Sequence, residues 1–238
     1  MASSLKIPSA LLLVLLVLAG FVVGCGEKKT GVRDLDAVDP TVDTDIKTGV
    51  KPQPDNQVAV IETEYGNLVL ELYPNIALHM VERFKRLVQE KFYDGTTFHR
   101  IELEGGLIQG GDPLSKDNDP DNDGQGNSPY PNLTAEFSDI PFQRGTVGAA
   151  RWGGGDKPGL TEAAARDTGN CQFFITLKDM PALDEDYTVF GKVIQGINNA
   201  DIIAGAPVEE GTNRPADKIA IKNITLQPRA QFVSGQSH

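Results

Sequence analysis

Residues 92–112 read FYDGTTFHRIELEGGLIQGGD, and the rest of the chain can be interpreted around this stretch. Its first four residues, Phe-Tyr-Asp-Gly, are a turn signal, with glycine where the backbone bends. The β-branched and aromatic residues that follow predict a short strand, and a second short apolar run ends in glycines. The two strands would hold one cation, Arg100, and one neutral amide, Gln109, beside apolar surface.

Arg100 and Gln109 together suit a neutral, partly apolar ligand with a carbonyl group, rather than a phosphate or a metal ion. A simpler interpretation is a solvated arginine at a strand end and a glutamine that satisfies a turn. Because an arginine and a glutamine nine positions apart are common, these two residues alone favour the simpler interpretation.

The composition limits the classes of partner. Of the 238 residues, 39% are hydrophobic, which is enough for one sizeable core or two small ones. The formal net charge of -11 argues against nucleic acid and anionic lipid surfaces as partners, because both repel negative charge. No repeat of about 20–50 residues is visible, which excludes a solenoid or a propeller.

Residues 1–24 have the pattern of a signal peptide. Lys6 precedes an apolar run, residues 11–23, that is shorter than the about 20 residues of a bilayer span. The run ends in Val-Val-Gly-Cys25, which resembles the lipobox of bacterial lipoproteins. This resemblance implies lipidation of Cys25 and a membrane-anchored lipoprotein of the bacterial cell envelope, facing the periplasm or extracytoplasmic side. The alternatives are an ordinary signal peptide that is cleaved nearby and an uncleaved anchor.

Residues 25–56 are expected to comprise the lipidated Cys25 and a disordered tether. The segment is polar, contains Pro52 and Pro54, and lacks aromatic residues and any periodicity. If Cys25 is lipidated, the other cysteine, Cys171, has no partner within the chain. We therefore predict a buried structural role for Cys171. A catalytic thiol is less favoured, because no histidine lies near it in sequence.

One folded domain is predicted over residues 57–228, followed by a C-terminal tail, residues 229–238. Two apolar stretches separated by Glu64-Tyr65-Gly66 predict a β-hairpin at its start. Apolar stripes of helical period predict one helix that ends near Lys91 and a second, shorter helix at residues 198–204. Many short strands with only two helices indicate a single closed β-barrel capped by helices.

Four sequence blocks then point to one family. They are FYDGTTFHR (92–100), IQGGDP (108–113), QFFI (172–175) and YTVFGK (187–192). In order and spacing they resemble the cyclophilin-type peptidyl-prolyl cis-trans isomerases, over roughly residues 57–228. The resemblance implies a mainly β fold, a closed eight-stranded antiparallel β-barrel capped by two α-helices. It also implies an enzyme that accelerates rotation about Xaa–Pro bonds and needs no cofactor or metal.

The resemblance also implies roles for particular residues. As the catalytic pair, Arg100 would hydrogen-bond the prolyl nitrogen of a twisted amide, and Gln109 would help to position the substrate backbone. An apolar pocket would hold the proline ring, and the expected substrate-binding residues are Leu107, Ala150, Phe174, Leu183 and Tyr187. Expected partners are proline-containing peptides, unfolded exported proteins and, through the lipid anchor, a membrane. Nucleic acid is not expected, and the chain is expected to be a monomer.

The chain departs from the family pattern near the expected site. One extra residue lies between Arg100 and Gln109, and Gly106 stands where the family has a pocket phenylalanine. A missing aromatic wall would forfeit contact with the proline ring, unless Leu103 fills the gap. Residues 152–166 form a longer loop than is usual in the family, which either borders the site or is a tolerated surface insertion.

Other functions stay open at this point. Without the aromatic wall, the chain could be a proline-peptide binding module or scaffold with little turnover, or a general chaperone whose isomerase site is incidental. Residues 119–124, DPDNDG, begin like a calcium loop. However, Tyr130 stands at the position where an EF-hand needs a bidentate glutamate. A solvated acidic loop is therefore the favoured interpretation of this segment.

Overall fold

The computed structural model of the protein describes residues 46–233. The predicted signal peptide, the predicted lipidation site Cys25 and the first part of the predicted tether lie outside these residues. Within the described range, no helix combines the length and the apolar character needed to cross a membrane.

Eight strands form one antiparallel sheet. They are β1 (Gln57–Thr63), β2 (Gly66–Leu72), β3 (Arg100–Glu102), β4 (Leu107–Gly110), β5 (Thr146–Ala149), β6 (Phe173–Thr176), β7 (Val189–Gln195) and β8 (Asn223–Pro228). The spatial order is β3-β4-β6-β5-β7-β2-β1-β8, so β3 and β8 are edge strands. The predicted mainly β fold with eight antiparallel strands is confirmed. The predicted closure into a barrel is wrong, because the sheet is open.

The sheet fails to close because β3 is short and bonds to a loop. The segments that lead into the two edge strands do meet, since the N–H of Phe98 donates to the carbonyl of Ile219 at 2.9 Å. Within β3, however, the N–H of Ile101 donates to the carbonyl of Asn213 at 2.8 Å, and Asn213 belongs to no strand. This bond brings the loop around Asn213 to the edge of the sheet where Arg100 lies.

Four α-helices occur in the described part of the chain, two more than predicted. They are α1 (Leu78–Gln89), α2 (Glu162–Arg166), α3 (Ile197–Ala204) and α4 (Ala230–Val233). Helices α1 and α3 are the two that the apolar periodicity predicts. Helices α2 and α4 have five and four residues, too few for a period of 3.6 to be visible in a sequence.

The main core is shared by the inner face of the sheet and helices α1 and α3. Phe84 of α1, Ile175 of β6 and Ile203 of α3 are all fully buried in it. Helix α1 has no side-chain cap from its own neighbourhood. Instead, the carboxylate of Glu136 accepts from the N–H groups of His79 at 3.2 Å and Met80 at 3.0 Å. A cap of this kind offsets the unpaired donors at the helix start and ties a distant loop to it.

Residues 46–56 are part of the folded domain, which corrects the predicted boundary of the tether. The N–H of Lys47 donates to the carbonyl of Phe137 at 3.0 Å, and the N–H of Asp55 donates to the carbonyl of Leu72 at 2.9 Å. A polar segment without periodicity can thus be ordered by backbone hydrogen bonds to the rest of the domain. Sequence composition does not reveal such bonds.

The beginning of the predicted C-terminal tail is also folded. Helix α4 carries Phe232, which packs against a small apolar cluster on the sheet formed by Val58, Val60 and Val69. The side-chain amide of Gln195 donates to the carbonyl of Phe232 at 2.9 Å. The folded domain therefore extends to residue 233, the last that the structure describes.

Candidate functional site

One transverse row of residues on the sheet carries the predicted catalytic pair. Arg100 of β3 lies opposite Gln109 of β4, and Gln109 lies opposite Phe174 of β6. Gly148 of β5 continues the row beside Phe174. Residues opposite each other in antiparallel strands project from the same face. Because the adjacent residue Ile175 is in the core, Arg100, Gln109 and Phe174 lie on the outer face of the sheet.

An apolar cluster surrounds Phe174 on this outer face. The Phe174 ring stacks on Phe142 with centroids 5.4 Å apart, and the Tyr187 ring meets it edge to face at 5.5 Å. Ala150 and Leu183 pack against the same cluster. The structure therefore brings together four of the five residues predicted to bind substrate.

Leu107 is the predicted substrate-binding residue that lies outside the Phe174 cluster. It is in β4, two residues before Gln109, so both side chains project from the same face. Leu107 lies opposite Thr176 and is 8% exposed. It lies beside the predicted catalytic pair and is not part of the Phe174 cluster.

Gly148 makes room for the aromatic rings. A Cβ atom at this position would lie 2.7 Å from Cε1 of Phe142 and would also overlap the ring of Phe174. The two rings therefore lie directly over the backbone of β5. A side chain at residue 148 would push Phe174 away from Gln109 and the rest of the row.

A chain of side-chain hydrogen bonds fixes the polar half of the row. Nη1 of Arg100 donates to Oε1 of Gln109 at 3.2 Å, and Nε2 of Gln109 donates to Oε1 of Gln172 at 3.0 Å. Nε2 of Gln172 then donates to the carbonyls of Gly124 and Gly126, each at 2.9 Å. Each amide is oriented by its neighbour, so the Gln109 oxygen faces the guanidinium.

Sequence reasoning did not select Gln172, although it stands in one of the family blocks. Its position two residues before Phe174 was a usable signal, because residues i and i+2 of a strand share a face. Glu102 was missed in the same way, since it follows Arg100 by two residues in β3. Both residues lie two positions from a predicted site residue, and this spacing places their side chains on the face that carries the site.

A cavity of about 390 Å³ adjoins the predicted catalytic pair. It is lined by Arg100, Gln109 and Ala150, and also by Trp152 and Asn213 from two loops. Its volume is within the usual range for small-molecule sites. The longer loop predicted at residues 152–166 therefore borders the site. This was one of its two interpretations, and a tolerated surface insertion was the other. Within this loop, Nζ of Lys157 lies 3.9 Å from the centroid of the Trp152 ring.

Lys178 covers the position where the family pattern places an aromatic wall. Gly106 has φ of +82°, and a Cβ atom there would lie 2.7 Å from Cε and 2.8 Å from Cδ of Lys178. Leu103, the alternative considered for this gap, is 64% exposed. The methylene chain of Lys178 thus supplies apolar surface at this point in place of a ring.

His99 is a buried neutral group directly before Arg100. It is 7% exposed, and neither ring nitrogen has a hydrogen-bond partner in the described structure. Burial lowers the pKa of His99 from 6.5 to about 4, and the positive charge of Arg100 acts in the same direction. The imidazole is therefore uncharged at neutral pH, and it adds no positive charge beside Arg100.

We expect His99 to make the folded state less stable as the pH falls from 7 to 5. In this window the unfolded histidine takes up a proton and the folded one does not, so the free energy of unfolding decreases with decreasing pH. The contribution at pH 5 is about 2 kcal/mol. Urea unfolding at both pH values should show a pH-dependent loss that is smaller by about this amount in His99→Gln than in wild type. Equal losses in wild type and His99→Gln would contradict the prediction.

Several carboxylates of the acidic segment after β4 accept hydrogen bonds from nearby backbone N–H groups. Asp112 accepts from the N–H groups of Leu114 at 2.9 Å and of Gly124, and Asp117 accepts from the N–H of Asp119 at 2.7 Å. In residues 46–233 no group of three or more His, Cys, Asp or Glu side chains is placed to hold a metal ion. The acidic loop beside the site is therefore held by hydrogen bonds within the loop itself.

Cys171 has the structural role that the sequence indicates. It is fully buried, and its Sγ faces the carbonyl of Gly126 at 3.9 Å. Burial raises the pKa of the thiol to about 12, so the thiolate is not populated at neutral pH. A nucleophilic role for this residue is therefore disfavoured.

Comparison with known proteins places this geometry in a family. The model of the family described as cyclophilin type peptidyl-prolyl cis-trans isomerase/CLD matches residues 58–226. A probable peptidyl-prolyl cis-trans isomerase of Brucella suis is 38% identical over 179 residues, covering 73% of this chain and 85% of that protein. Peptidyl-prolyl cis-trans isomerase-like 3 of Gallus gallus is 34% identical over 170 residues, covering 70% and 93%.

Solved structures show the same relationship. The crystal structure of a cyclophilin type peptidyl-prolyl cis-trans isomerase of Cryptosporidium parvum has a TM-score of 0.60 and 29% identity, covering 72% of this chain and 97% of that one. A second structure of that protein was determined in the presence of the dipeptide Ala-Pro. Since the matched residues run from β1 to β8 and include the row of Arg100, Gln109 and Phe174, the chain belongs to the cyclophilin-type peptidyl-prolyl cis-trans isomerases and is an enzyme of that class.

Proposed function

We propose that the outer face of the sheet accelerates Xaa–Pro rotation by stabilising a twisted amide, to which Arg100 donates a hydrogen bond at the prolyl nitrogen. Amide resonance sets a barrier of about 20 kcal/mol and uncatalysed times of about 10–100 s. A catalyst of this rotation needs no nucleophile, because it only has to bind the twisted amide more tightly than either planar form. The observation that carries the proposal is the guanidinium of Arg100 in one row with the apolar Phe174 cluster.

The chemistry of the twisted amide explains why a cation is suited to this position. When conjugation is lost, the nitrogen lone pair becomes available as a hydrogen-bond acceptor, and in either planar form it is not. A donor that Arg100 holds there interacts with the rotating state and not with the ground states. The interaction therefore lowers the barrier instead of only tightening substrate binding.

The remaining residues of the site would position the proline ring and the backbone of the substrate. We assign the proline ring to the Phe174 cluster, against which Ala150, Leu183 and Tyr187 pack. The Gln109 amide lies between Arg100 and Gln172 and would position the substrate backbone.

Exchange spectroscopy tests this proposal directly. The full chain, added in catalytic amount to a peptide that contains Ala-Pro, should produce cis–trans exchange in NMR spectra that is absent without protein. Peptide binding without faster exchange would instead support a proline-peptide binding module. Suppression of aggregation that survives removal of the Arg100 guanidinium would indicate a general chaperone. Either result without exchange would refute the proposed mechanism.

We also propose that the enzyme acts on exported proteins from a lipid anchor in the bacterial cell envelope. The proposal rests on the basic start, short apolar run and Val-Val-Gly-Cys25 pattern of residues 1–25. More than one acyl chain holds a protein to a membrane far more strongly than a single chain does.

The anchor proposal predicts that Cys25→Ser abolishes membrane attachment in a bacterial host. The wild-type chain should incorporate labelled palmitate and partition into detergent, and the variant should do neither. Cys171→Ser is the matched control, because Cys171 is buried in the folded domain and should leave both properties unchanged. Label on the Cys25→Ser variant, or its retention in the detergent phase, would contradict the proposal.

A further inference from the structure

The guanidinium of Arg100 is held by a carboxylate from its own strand. Nε of Arg100 donates to Oε1 of Glu102 at 2.8 Å, and Nη2 forms a second hydrogen bond to the same oxygen. Nη1 donates to Gln109 on the other side. Of the five guanidinium N–H groups, three are thus used by protein acceptors in the described structure. One N–H on each terminal nitrogen is left for a ligand.

Glu102 is itself fixed from a distant part of the chain. Nδ2 of Asn213 donates to Oε1 of Glu102 at 2.9 Å, across 111 positions in sequence. The carbonyl of Asn213 accepts from the N–H of Ile101, so both the backbone and the side chain of Asn213 bind β3. Three donors from two residues therefore converge on a single carboxylate oxygen.

The turn between β3 and β4 is shaped around the Glu102 side chain. A Cβ atom at Gly105 would lie 2.7 Å from Cβ of Glu102 and would overlap its carboxylate. The N–H of Gly106 donates to the carbonyl of Glu102 at 2.6 Å. The side chain of Glu102 is only 18% exposed, whereas that of Arg100 is 47% exposed. The carboxylate is thus the less exposed member of the ion pair.

An exposed arginine loses considerable rotamer entropy when it is confined to one geometry. A small displacement of a catalytic group is sufficient to lower the rate strongly. We propose that Glu102, supported by Asn213, is the positioning pair that orients the guanidinium of Arg100 toward the prolyl nitrogen. This inference rests on the proposed role of Arg100. It assigns to Glu102 and Asn213 an effect on the rate of rotation and little effect on substrate affinity.

Steady-state rates and peptide affinities of Glu102 variants test the pair. We expect Glu102→Ala to lower kcat about tenfold, with peptide Kd changed less than twofold. Glu102→Gln should recover part of the lost rate, because its amide oxygen still accepts from Arg100. The matched control is Glu62→Ala, since Glu62 also accepts from an asparagine, Asn223 at 2.9 Å, but on strand β1. The control should leave kcat unchanged.

A double-mutant cycle separates positioning from a structural role. In the Arg100→Ala background, Glu102→Ala should lower kcat no further, because its effect is exerted through the guanidinium. An additive loss, or a kcat for Glu102→Ala within twofold of wild type, would overturn the inference. If Arg100→Ala itself left kcat unchanged, the proposed function would fail. If Arg100→Ala abolished activity and Glu102→Ala did not affect it, only the positioning role would fail.

Discussion

Replacement of Arg100 by alanine is expected to lower kcat/KM for an Xaa–Pro peptide by about 10²–10³-fold, which is the usual effect of removing one preorganised donor to a transition state. The loss should fall mainly on kcat, because the hydrogen bond to the prolyl nitrogen forms only when the amide is twisted. Arg100 is about half exposed, so the variant should remain folded. Line-shape analysis of peptide NMR spectra provides both the exchange rate and the affinity.

Two further variants give the Arg100 prediction its controls. Arg100→Lys keeps the charge but loses the planar fork, and so should recover only a small part of the activity. Arg229→Ala removes another arginine whose Nε donates to a carboxylate. Its partner is Glu71 of β2, at 2.6 Å, and the pair lies away from the row. The substitution should reduce stability and leave kcat/KM unchanged. Activity of Arg100→Ala within threefold of wild type would contradict the mechanism.

Replacement of Phe174 by alanine is expected to cost about 3–5 kcal/mol of stability, as large-to-small changes at buried aromatic positions do. It should also raise KM for a proline peptide by more than tenfold. Phe174 is 4% exposed and stacks with Phe142 and Tyr187, so its loss removes the centre of the apolar cluster. Phe174→Leu keeps most of the volume and should show the KM effect with a smaller stability loss.

Phe173 provides the matched control, because it is the adjacent residue of the same strand and faces the core. Phe173→Ala should reduce the free energy of unfolding by a similar amount and leave KM unchanged under conditions where the protein is folded. Chemical denaturation and peptide titration of the two variants make the comparison. If both variants raised KM equally, the outer face of β6 would not be the proline-binding surface.

The pattern of residues was sufficient to predict the elements that depend on local periodicity. Helices α1 and α3 have apolar stripes long enough to reveal a period of 3.6. The family blocks predicted which of those residues would be neighbours. The structure brings Arg100, Gln109 and Phe174 into one row, as the resemblance implies.

Features that depend on contacts between distant segments were not predictable. The cap of helix α1 comes from Glu136, and the order of residues 46–56 comes from bonds to partners such as Phe137 and Leu72. Lys178 covers Gly106, although Leu103 was the nearer candidate in sequence. None of these contacts leaves a trace in local composition, because the partners are specified only when the chain is folded.

The amino-acid sequence by itself determined the family and the eight antiparallel strands, and it singled out Arg100, Gln109 and Phe174 as site residues, since each follows from local spacing or a matched block. Only the tertiary structure decided that the sheet is open, that Trp152 borders the cavity and that Asn213 holds Glu102 against Arg100. The reason is physical: these outcomes depend on hydrogen bonds and packing between loops far apart in the chain. The geometry of such contacts is set by the whole fold and not by the residues next to them.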